Sequence, residues 1–404
     1  MLVLVLNSGS SSVKYQVRHV STGSAVGADG AVGADGAGGG AAGDGSSTSD
    51  GPEALIAEGI VERIGEGEVT DHVEALAIIN AELDETMSGR QLDAVGHRVV
   101  HGGERFSEPV LISNEITRAI ERLNPLAPLH NPANVLGIRA IEDTWPDLPQ
   151  VAVFDTAFHR TLPERSWRYA IPNHFYRHYG IRRYGFHGTS VEYVTAQAAT
   201  LLGTARQDFN AVVAHLGNGA SVTAIEGGRS VDTSMGFTPL EGLVMGTRSG
   251  DLDPSILLFL QRDGWTADEL DRMLNRESGL TALFGSNDMR AIVEAGDDRA
   301  RLTLDIASYR LAKYIGGYHV AVSGAQAIVF TAGIGENSWE FRQAVAHRLA
   351  PLGVKLDDDA NRAQADTARV ISAPDSALAV LVVPTDEERA IAEATAAVVH
   401  AQGC

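Results

Sequence analysis

The stretch Leu6-Asn7-Ser8-Gly9-Ser10-Ser11-Ser12-Val13 joins two apolar runs through a turn of small residues. The flanking runs, residues 2–6 and 13–20, have the length and composition of strands. Because successive glycine and serine residues let the backbone fold tightly, this pattern predicts a β-hairpin. The pattern returns in the second half of the chain as His215-Leu216-Gly217-Asn218-Gly219-Ala220-Ser221-Val222. Two such hairpins, one in each half, predict a duplicated domain.

The length and composition of the chain agree with this prediction. The 404 residues suffice for two or three domains at roughly 100 to 200 residues each. Hydrophobic residues make up 44% of the chain, enough for packed cores, yet no apolar run is long enough to span a membrane. Strand-length runs alternate with helical patterns, which predicts a mixed α/β architecture. Further predicted strands are residues 94–100, 151–154, 211–215, 222–225, 327–330 and 377–383, and predicted helices are residues 72–85, 115–123, 191–202, 268–274, 302–322, 339–349 and 387–400.

The charge balance and the cysteine content limit the partners and the compartment. The net charge of −20 repels phosphate backbones and anionic lipids, so nucleic acid and membrane are not expected partners. An anionic substrate must therefore be gathered by local basic groups. The single cysteine, Cys404, excludes an intramolecular disulfide and favours a reducing cytoplasm. Residues 1–6 lack the charge and length of a secretory signal and are expected to form a strand.

Residues 21–52 differ in composition from the rest of the chain. They consist almost entirely of glycine, alanine, serine, aspartate and threonine, and the hexapeptide at residues 26–31 repeats at residues 32–37. Such a segment cannot bury enough apolar surface to order itself. Since strand patterns resume on both sides, we expect a flexible insertion between neighbouring strands.

Three glycine-rich segments have the composition of phosphate-binding turns. Exposed backbone N–H groups, serine hydroxyls and a nearby lysine form the usual cradle for phosphate oxygens. The first segment ends in Lys14 and begins with Asn7, whose amide oxygen is suited to Mg²⁺. The second is residues 217–221. The third, Gly333-Ile334-Gly335-Glu336-Asn337, follows a predicted strand and precedes a predicted helix, but it is not a Walker A loop.

Two arginines near glycines are candidates for binding an anion. Arg98 lies where a predicted strand runs into Gly102 and Gly103, and a guanidinium there can hold a carboxylate through two hydrogen bonds. The alternative for Arg98 is a structural salt bridge. Arg248 lies in residues 235–254, a stretch too rich in glycine for regular structure, and long ordered loops are usually functional. His97 and His101 are interpreted as structural residues.

Three further side chains can carry chemistry. Asp155 ends a predicted strand and can serve as a base, as a metal ligand through water, or as a helix cap. His187 lies between glycines before a helix that Thr189 or Ser190 is expected to cap, and its ring can donate to a phosphoryl group. Glu387 can bind a metal or simply complement the dipole of the last helix. Motifs of zinc enzymes and serine hydrolases are missing from the sequence.

Nine motifs together resemble the acetate kinase family, and they occur in order over nearly the whole chain: Asn7-Ser-Gly-Ser-Ser-Ser-Val-Lys14, His97-Arg-Val-Val-His-Gly-Gly103, Leu129-His-Asn-Pro132, Phe154-Asp-Thr-Ala-Phe-His159, Phe186-His-Gly-Thr-Ser190, His215-Leu-Gly-Asn-Gly219, Gly246-Thr-Arg-Ser-Gly-Asp-Leu-Asp-Pro254, Gly333-Ile-Gly-Glu-Asn337 and Pro384-Thr-Asp-Glu-Glu388. The resemblance implies an α/β fold of two duplicated ribonuclease-H-like domains, as in the actin-like ATPase superfamily, with the active-site cleft between them. We assign residues 1–150 and 384–404 to the first domain, which carries the insertion, and residues 151–383 to the second, nucleotide-binding domain. The resemblance also implies a homodimer.

The resemblance assigns roles to individual residues. It implies Mg²⁺, with Mn²⁺ as an alternative, on Asn7 and Glu387. It implies ATP and ADP on two groups of residues: Lys14, Ser10 and Ser12 near the phosphates, and His215, Leu216, Gly217, Asn218, Gly219, Asp288, Met289, Arg290, Gly333, Ile334, Gly335, Glu336 and Asn337 around the nucleotide. The implied catalytic residues are Arg98, His130, Asp155, His187 and Arg248, and Arg98 also binds the substrate carboxylate. The implied walls of the acetate methyl pocket are Val100, Leu129, Phe186 and Pro239.

The sequence departs from the family pattern at three places. The insertion at residues 21–52 replaces a short connection, Val191 stands where the family usually has a second histidine, and Asp386 replaces an asparagine before Glu387. The last change places an extra negative charge beside the implied metal ligand.

The implied activity is reversible, Mg²⁺-dependent phosphoryl transfer from ATP to acetate, giving ADP and acetyl phosphate for acetyl-CoA metabolism. Propionate or butyrate kinase is the close alternative, because one methylene changes binding by only about 1 to 3 kcal/mol. A non-catalytic ATP-binding member of the superfamily is the alternative from another class. Two arginines and an apolar pocket at the acceptor end favour the kinase.

Overall fold

The computed structural model describes residues 1–9, 11–21, 54–65, 69–87, 89–128 and 130–403. The chain forms two compact units: unit 1 is Met1–Phe154 with Glu387–Cys404, and unit 2 is Asp155–Asp386. The sequence-based domain boundaries, after residues 150 and 383, stay a prediction. Ser10, Leu129 and nearly all of the insertion at residues 21–52 lie outside the described residues.

The described residues form strands and helices of both units in alternation. The strands are β1 (Leu2–Ser8), β2 (Ser12–His19), β3 (Leu55–Glu62), β4 (Ala94–Val99), β5 (Val110–Leu111), β6 (Gln150–Phe154), β7 (Ala211–Leu216), β8 (Ala220–Glu226), β9 (Arg229–Thr233), β10 (Ala327–Thr331), β11 (Arg369–Val370) and β12 (Ala379–Val382). The α-helices are α1 (His72–Met87), α2 (Asn114–Glu121), α3 (Asn131–Thr144), α4 (Glu164–Trp167), α5 (His174–Tyr179), α6 (Gly188–Leu201), α7 (Ser255–Arg262), α8 (Ala267–Arg276), α9 (Gly279–Phe284), α10 (Met289–Ala295), α11 (Asp298–Ala321), α12 (Ala332–Asn337), α13 (Trp339–Arg348), α14 (Asp358–Arg362) and α15 (Glu387–Gln402).

The two sheets have the same topology, which confirms the predicted duplication. Unit 1 has the strand order β3-β2-β1-β4-β6-β5, and unit 2 has β9-β8-β7-β10-β12-β11. In each sheet the first three strands in sequence form an antiparallel meander. The next two long strands add in parallel, and a short antiparallel strand closes the edge. The hairpins quoted first are the β1–β2 turn and the β7–β8 turn.

The core of unit 1 lies on both faces of its sheet. Along β1, Leu4 and Leu6 pack on one face with Leu76 and Ile79 of α1. Val3 and Val5 lie on the opposite face in a cluster with α15. This alternation follows from the two-residue period of a strand. A β4 residue larger than Gly96 would overlap the Thr395 hydroxyl on α15, so the glycine lets that helix approach the sheet.

The core of unit 2 is built in the same way. Val213 of β7, Val329 of β10 and Leu381 of β12 are fully buried beside Val191 and Val194 of α6. Three neighbouring parallel strands buried on a helix-covered face explain their nearly continuous apolar sequences. Among the residues that the structure describes, none of the helices combines the length and the hydropathy needed to cross a lipid bilayer.

Candidate active site

The hairpin turn of unit 1 is tight and is anchored from α1. Gly9 N donates to Ser12 O at 2.8 Å, and Asn7 and Lys14 pair across the two strands. The ring of His72, the first residue of α1, donates from Nε2 to Gly9 O at 2.9 Å. Lys14 is exposed beside this turn, as a residue that meets phosphate must be. Predicted Ser10 lies outside the described residues.

Three predicted site residues of unit 1 come together around one guanidinium. Arg98 on β4 donates from Nη1 to Asn7 Oδ1 at 3.3 Å, and its Nε lies 3.5 Å from Glu387 Oε2. The side chains of Arg98 and Glu387 are 20% and 19% exposed, so both remain accessible to a ligand. The structure therefore brings the end of β1, the end of β4 and the start of α15 to one point.

Two asparagines of α3 fix the strand ends that carry this cluster. Asn131 exchanges hydrogen bonds with the backbone of His101, at 3.1 and 3.0 Å. Asn134 accepts from Val100 N at 3.1 Å and donates to Ser8 O at 2.8 Å. Both asparagines are buried, and their amide groups hydrogen-bond to backbone groups at the end of β1 and just after the end of β4. His130 comes directly before α3, and Leu129 lies outside the described residues.

The interpretation of His97 and His101 as structural residues agrees with their surroundings. His97 is buried and its Nε2 contacts Gln150 Oε1 at 2.7 Å. His101 is buried too, and its Nδ1 accepts from Gly103 N at 2.9 Å. Burial lowers the pKa of each ring to about 4, so both are neutral at physiological pH.

In unit 2, His187 and His215 stack on each other. Their ring centroids are 4.1 Å apart and their planes differ by 19°. A serine hydroxyl contacts the Nδ1 atom of each ring: Ser221 lies 3.0 Å from that of His187, and Ser190 lies 2.9 Å from that of His215. These contacts fix the orientation of both rings. The stack follows from the chain path, since His215 is the last residue but one of β7 and α6 begins just after His187.

Arg248 and His187 converge on the backbone of the second hairpin. A methyl group built on Gly219 would stand 3.3 Å from Arg248 Nη1 and 3.5 Å from His187 Nε2. The same Nη1 donates to Pro239 O at 3.0 Å. Burial lowers the pKa of Arg248 below its ordinary value, but an arginine keeps its charge at neutral pH. A cation, an imidazole and a glycine turn thus meet at one point, as a phosphoryl site requires.

Neither Thr189 nor Ser190, the two residues expected to cap α6, is the N-cap of that helix. The helix begins at Gly188, and its N-cap is His187, in the left-handed region at φ 60°. The Ser190 hydroxyl is engaged by His215 and by Thr385 Oγ1, the latter at 2.6 Å, so it does not cap the helix. Asp155 is buried, and its carbonyl oxygen accepts from Gly188 N at 2.8 Å, which holds residue 155 against the start of α6.

The third predicted phosphate turn is itself a helix. Gly333 to Asn337 belong to α12, which follows β10 without a loop because Ala332 adopts φ 63°. The Glu336 carboxylate turns back and accepts from Ala332 N at 2.8 Å and from Thr385 N at 3.0 Å. Glu336 therefore ties the start of α12 to the chain after β12.

Three of the segments predicted to bind ATP lie close together in unit 2. Leu216, Gly217, Met289 and Ile334 line one small apolar cavity of about 20 Å³. Asn218 Oδ1 accepts from Asn287 Nδ2 at 3.0 Å, which links the hairpin to the start of α10. Asp288 caps α10 by accepting from Arg290 N at 2.9 Å. The three segments thus share one region at the ends of β7 and β10.

The sequence alone assigns no individual role to several residues that support the site. They are Asn131, Asn134, Ser221, Thr385 and Glu241, and each holds a site residue or the loop that bears it. The sequence contains a signal for the two asparagines, because polar residues three apart at a helix start share one face. For the others the partner is distant in sequence, and no local pattern reveals it.

Comparison with known proteins identifies the family. The acetokinase family model matches residues 2–393. Acetate kinase from Pseudarthrobacter chlorophenolicus is 65% identical over 98% of this chain and 99% of its own. Crystal structures of Porphyromonas gingivalis acetate kinase (39% identity, TM-score 0.86, 98% and 99% of the two chains covered) and a Francisella tularensis propionate kinase (38%, 0.85, 98% of both) have the same fold. The chain belongs to the acetokinase family.

Proposed function

We propose that the protein transfers the γ-phosphoryl group of ATP to acetate, giving ADP and acetyl phosphate, and that the reaction is reversible. A carboxylate oxygen of acetate forms a bond to γ-phosphorus while the bond to the ADP oxygen breaks. The observation that carries the proposal is the convergence of Arg248 Nη1 and His187 Nε2 on Gly219, within a chain of the acetokinase family. Full-length similarity to acetate kinases supports it.

The proposed roles follow from what phosphoryl transfer needs, which is alignment and neutralisation of charge. Arg98 binds the acetate carboxylate, and Arg248 and His187 stabilise the moving phosphoryl group. Acetate is already ionised near neutral pH, so Asp155 orients it more than it removes a proton. His130 supports the site from the start of α3.

Asn7 and Glu387 are the residues proposed to hold Mg²⁺, or Mn²⁺ in its place. Within the described ranges, histidine, cysteine, aspartate and glutamate side chains form no group of three or more suited to a metal. The pair fits Mg²⁺ nevertheless: both residues offer oxygen atoms, both contact Arg98, and Mg²⁺ is usually held by one or two carboxylates with water and substrate phosphates. When bound, the ion neutralises phosphate charge during transfer.

The nucleotide is proposed to bind with its phosphates near Lys14, Ser10 and Ser12. Helix α12, which carries the third glycine-rich segment, lies against β7, and β7 leads into the second hairpin. The remaining contacts are proposed for His215, Leu216, Gly217, Asn218, Gly219, Asp288, Met289, Arg290, Gly333, Ile334, Gly335, Glu336 and Asn337.

The walls proposed for the acetate methyl pocket are Val100, Leu129, Phe186 and Pro239. Val100 and Phe186 are buried, and the Phe186 carbonyl is held by His159 Nε2 at 2.9 Å. Propionate is the second candidate acceptor, because one structural relative at 38% identity is a propionate kinase. A difference of one methylene changes binding by about 1 to 3 kcal/mol, so the size of this pocket decides the preference.

We also propose a cytoplasmic homodimer. The single cysteine, which excludes an intramolecular disulfide, supports the proposed location. The dimer is supported by α7, where Ile256, Leu258 and Phe259 are 44%, 53% and 65% exposed. Clustered apolar side chains on a surface commonly mark a protein interface.

The test is acyl-phosphate formation, trapped as the hydroxamate, from ATP and Mg²⁺ with acetate, propionate and butyrate in parallel. We expect acetate-dependent product, with a rate that falls as the acid lengthens. Faster turnover with propionate would reassign the substrate. A protein that binds ATP but makes no product with any acid would contradict the proposal, and Asp386, beside the proposed metal ligand, would be the first residue to revert to asparagine.

A further inference from the structure

The two unit 2 residues proposed to wall the methyl pocket lie on segments that are joined by hydrogen bonds. Phe186 ends residues 183–186, and Pro239 lies in residues 235–241. Gly236 O accepts from Tyr184 N at 3.0 Å and from Gly185 N at 3.3 Å. The spacing of the two walls therefore depends on what holds these segments together.

Arg183 is the main side-chain link between them. Its Nη1 donates to three successive carbonyl oxygens, those of Thr233, Ser234 and Met235, at 2.9, 3.1 and 3.0 Å. Its Nη2 donates to Glu241 Oε1 at 2.6 Å. The Arg183 side chain is 15% exposed, so this ion pair is more strongly coupled than one in open solvent. One guanidinium thus holds both ends of the Pro239 segment.

Tyr169 completes the link from a third segment. Its hydroxyl donates to Glu241 Oε2 and accepts from Phe237 N at 3.0 Å. Burial and the Glu241 carboxylate raise the pKa of Tyr169, so the hydroxyl keeps its proton at neutral pH. Glu241 and Tyr169 pack so closely on Gly236 that a side chain there would overlap both. We call Arg183, Glu241 and Tyr169 the clasp.

The clasp also acts on the proposed phosphoryl site, because Arg248 Nη1 donates to Pro239 O. Any displacement of Pro239 changes both the methyl pocket and the position of this guanidinium. Resting on the proposed function, we propose that the clasp is a positioning device that sets the acyl size the enzyme accepts. Its residues act through Pro239, which they hold against the acceptor.

The test is Tyr169→Phe, which removes one hydroxyl and leaves the ring. In the full-length protein with ATP and Mg²⁺ we expect the KM for acetate to rise about fivefold, as the loss of one hydrogen bond predicts. The acetate-to-propionate ratio of kcat/KM should fall by a similar factor, because a displaced Pro239 leaves room for a methylene. The KM for ATP should stay within about twofold.

Two further variants make the result specific. Tyr15→Phe removes a matched tyrosine–glutamate bond, Tyr15 to Glu82 at 2.6 Å, in unit 1, and should lower the melting temperature without changing the acyl ratio. Glu241→Gln keeps the side-chain shape but removes the charge that faces Arg183, and it should shift the ratio in the same direction as Tyr169→Phe. If Tyr169→Phe does not fold, Glu241→Gln carries the test.

The outcomes separate this inference from the proposed function. A changed acyl ratio in the clasp variants, with an unchanged ratio in Tyr15→Phe, supports the clasp. A wild-type ratio in folded Tyr169→Phe and Glu241→Gln, or an equal shift in Tyr15→Phe, overturns the clasp and leaves the kinase activity standing. No acyl phosphate from the wild-type protein overturns the proposed function and the clasp with it.

Discussion

At the scale of single residues, the partners of three histidines in unit 2 distinguish a scaffold ring from rings proposed for the site. Both ring nitrogens of His159 are engaged, by Ser230 Oγ at 2.8 Å and by the Phe186 carbonyl at 2.9 Å. That ring is part of the scaffold. His187 and His215 each meet a serine through Nδ1, and Nε2 of His187 points toward Gly219. A serine on Nδ1 fixes the orientation of each ring, and the role proposed for His187 falls to its Nε2.

Replacing Arg98 by alanine is expected to lower kcat/KM for acetate by about 10² to 10⁴, because a charge-assisted contact to the carboxylate is lost. It also removes the cation between Asn7 and Glu387. The measurement is the hydroxamate assay over a range of acetate concentrations. Arg105→Ala, which removes an exposed arginine paired with Glu115, is the matched control. An unchanged acetate requirement and unchanged turnover in Arg98→Ala would show that the proposed carboxylate role is wrong.

At the scale of elements, the sequence predicts those strands, turns and helices whose pattern lies within one short stretch of the chain. The two hairpins, β4 and the long helix α11 have a clear period or turn composition, and each forms close to its predicted bounds. The glycine-rich composition of residues 333–337 predicts a turn, yet these residues form α12, because packing against β7 and β10 overrides the low helix propensity of glycine. The clasp joins residues up to 72 positions apart, and such partners have no local signal.

Deleting residues 24–49 is expected to preserve activity. The chain leaves β2 at His19 and enters β3 at Leu55, and these strands are antiparallel neighbours with Arg18 paired to Leu55. His19 N also donates to Ala54 O at 2.9 Å, so a short connection can join the two strands. The measurements are kcat/KM and melting temperature. Loss of activity in a folded deletion variant would give the insertion a role beyond a passive connection.

At the scale of the whole molecule, buried neutral histidines should make stability fall in acid. The pKa values of His97, His101 and His159 are each lowered to about 4 by burial, whereas unfolded histidines titrate near 6.5. Between these values the unfolded chain binds more protons, so the free energy of unfolding decreases as the pH falls from about 6.5 to about 4. Each histidine contributes about 1.4 kcal/mol per pH unit in that window.

Urea unfolding of the wild type and of His97→Gln, measured from pH 7.5 to 5, checks this expectation. The variant has one such histidine fewer, so its free energy of unfolding should depend less steeply on pH. Its stability at pH 7.5 should be lower, since the contact with Gln150 changes. Equal pH dependence in the two proteins would mean that His97 titrates at the same pH in the folded as in the unfolded chain.

The exposed helix α7 of unit 2 bears on the assembly state of the protein. No residue of α7 is buried. The side chain of Phe259 is 65% exposed, and its neighbour Leu258 is exposed as well. Leaving such a helix in water is unfavourable, and burial in a twofold interface would cover it on both copies at once. Phe259→Asp would bring two carboxylates into that interface and should convert the proposed dimer to a monomer of 42.8 kDa. Light scattering after gel filtration measures the mass. Leu136→Asp, at a 51% exposed leucine of α3 in unit 1, should leave the dimer intact. A wild-type protein that elutes as a monomer would contradict the proposed homodimer. If Phe259→Asp and Leu136→Asp dissociate the dimer equally, the interface lies elsewhere than at α7.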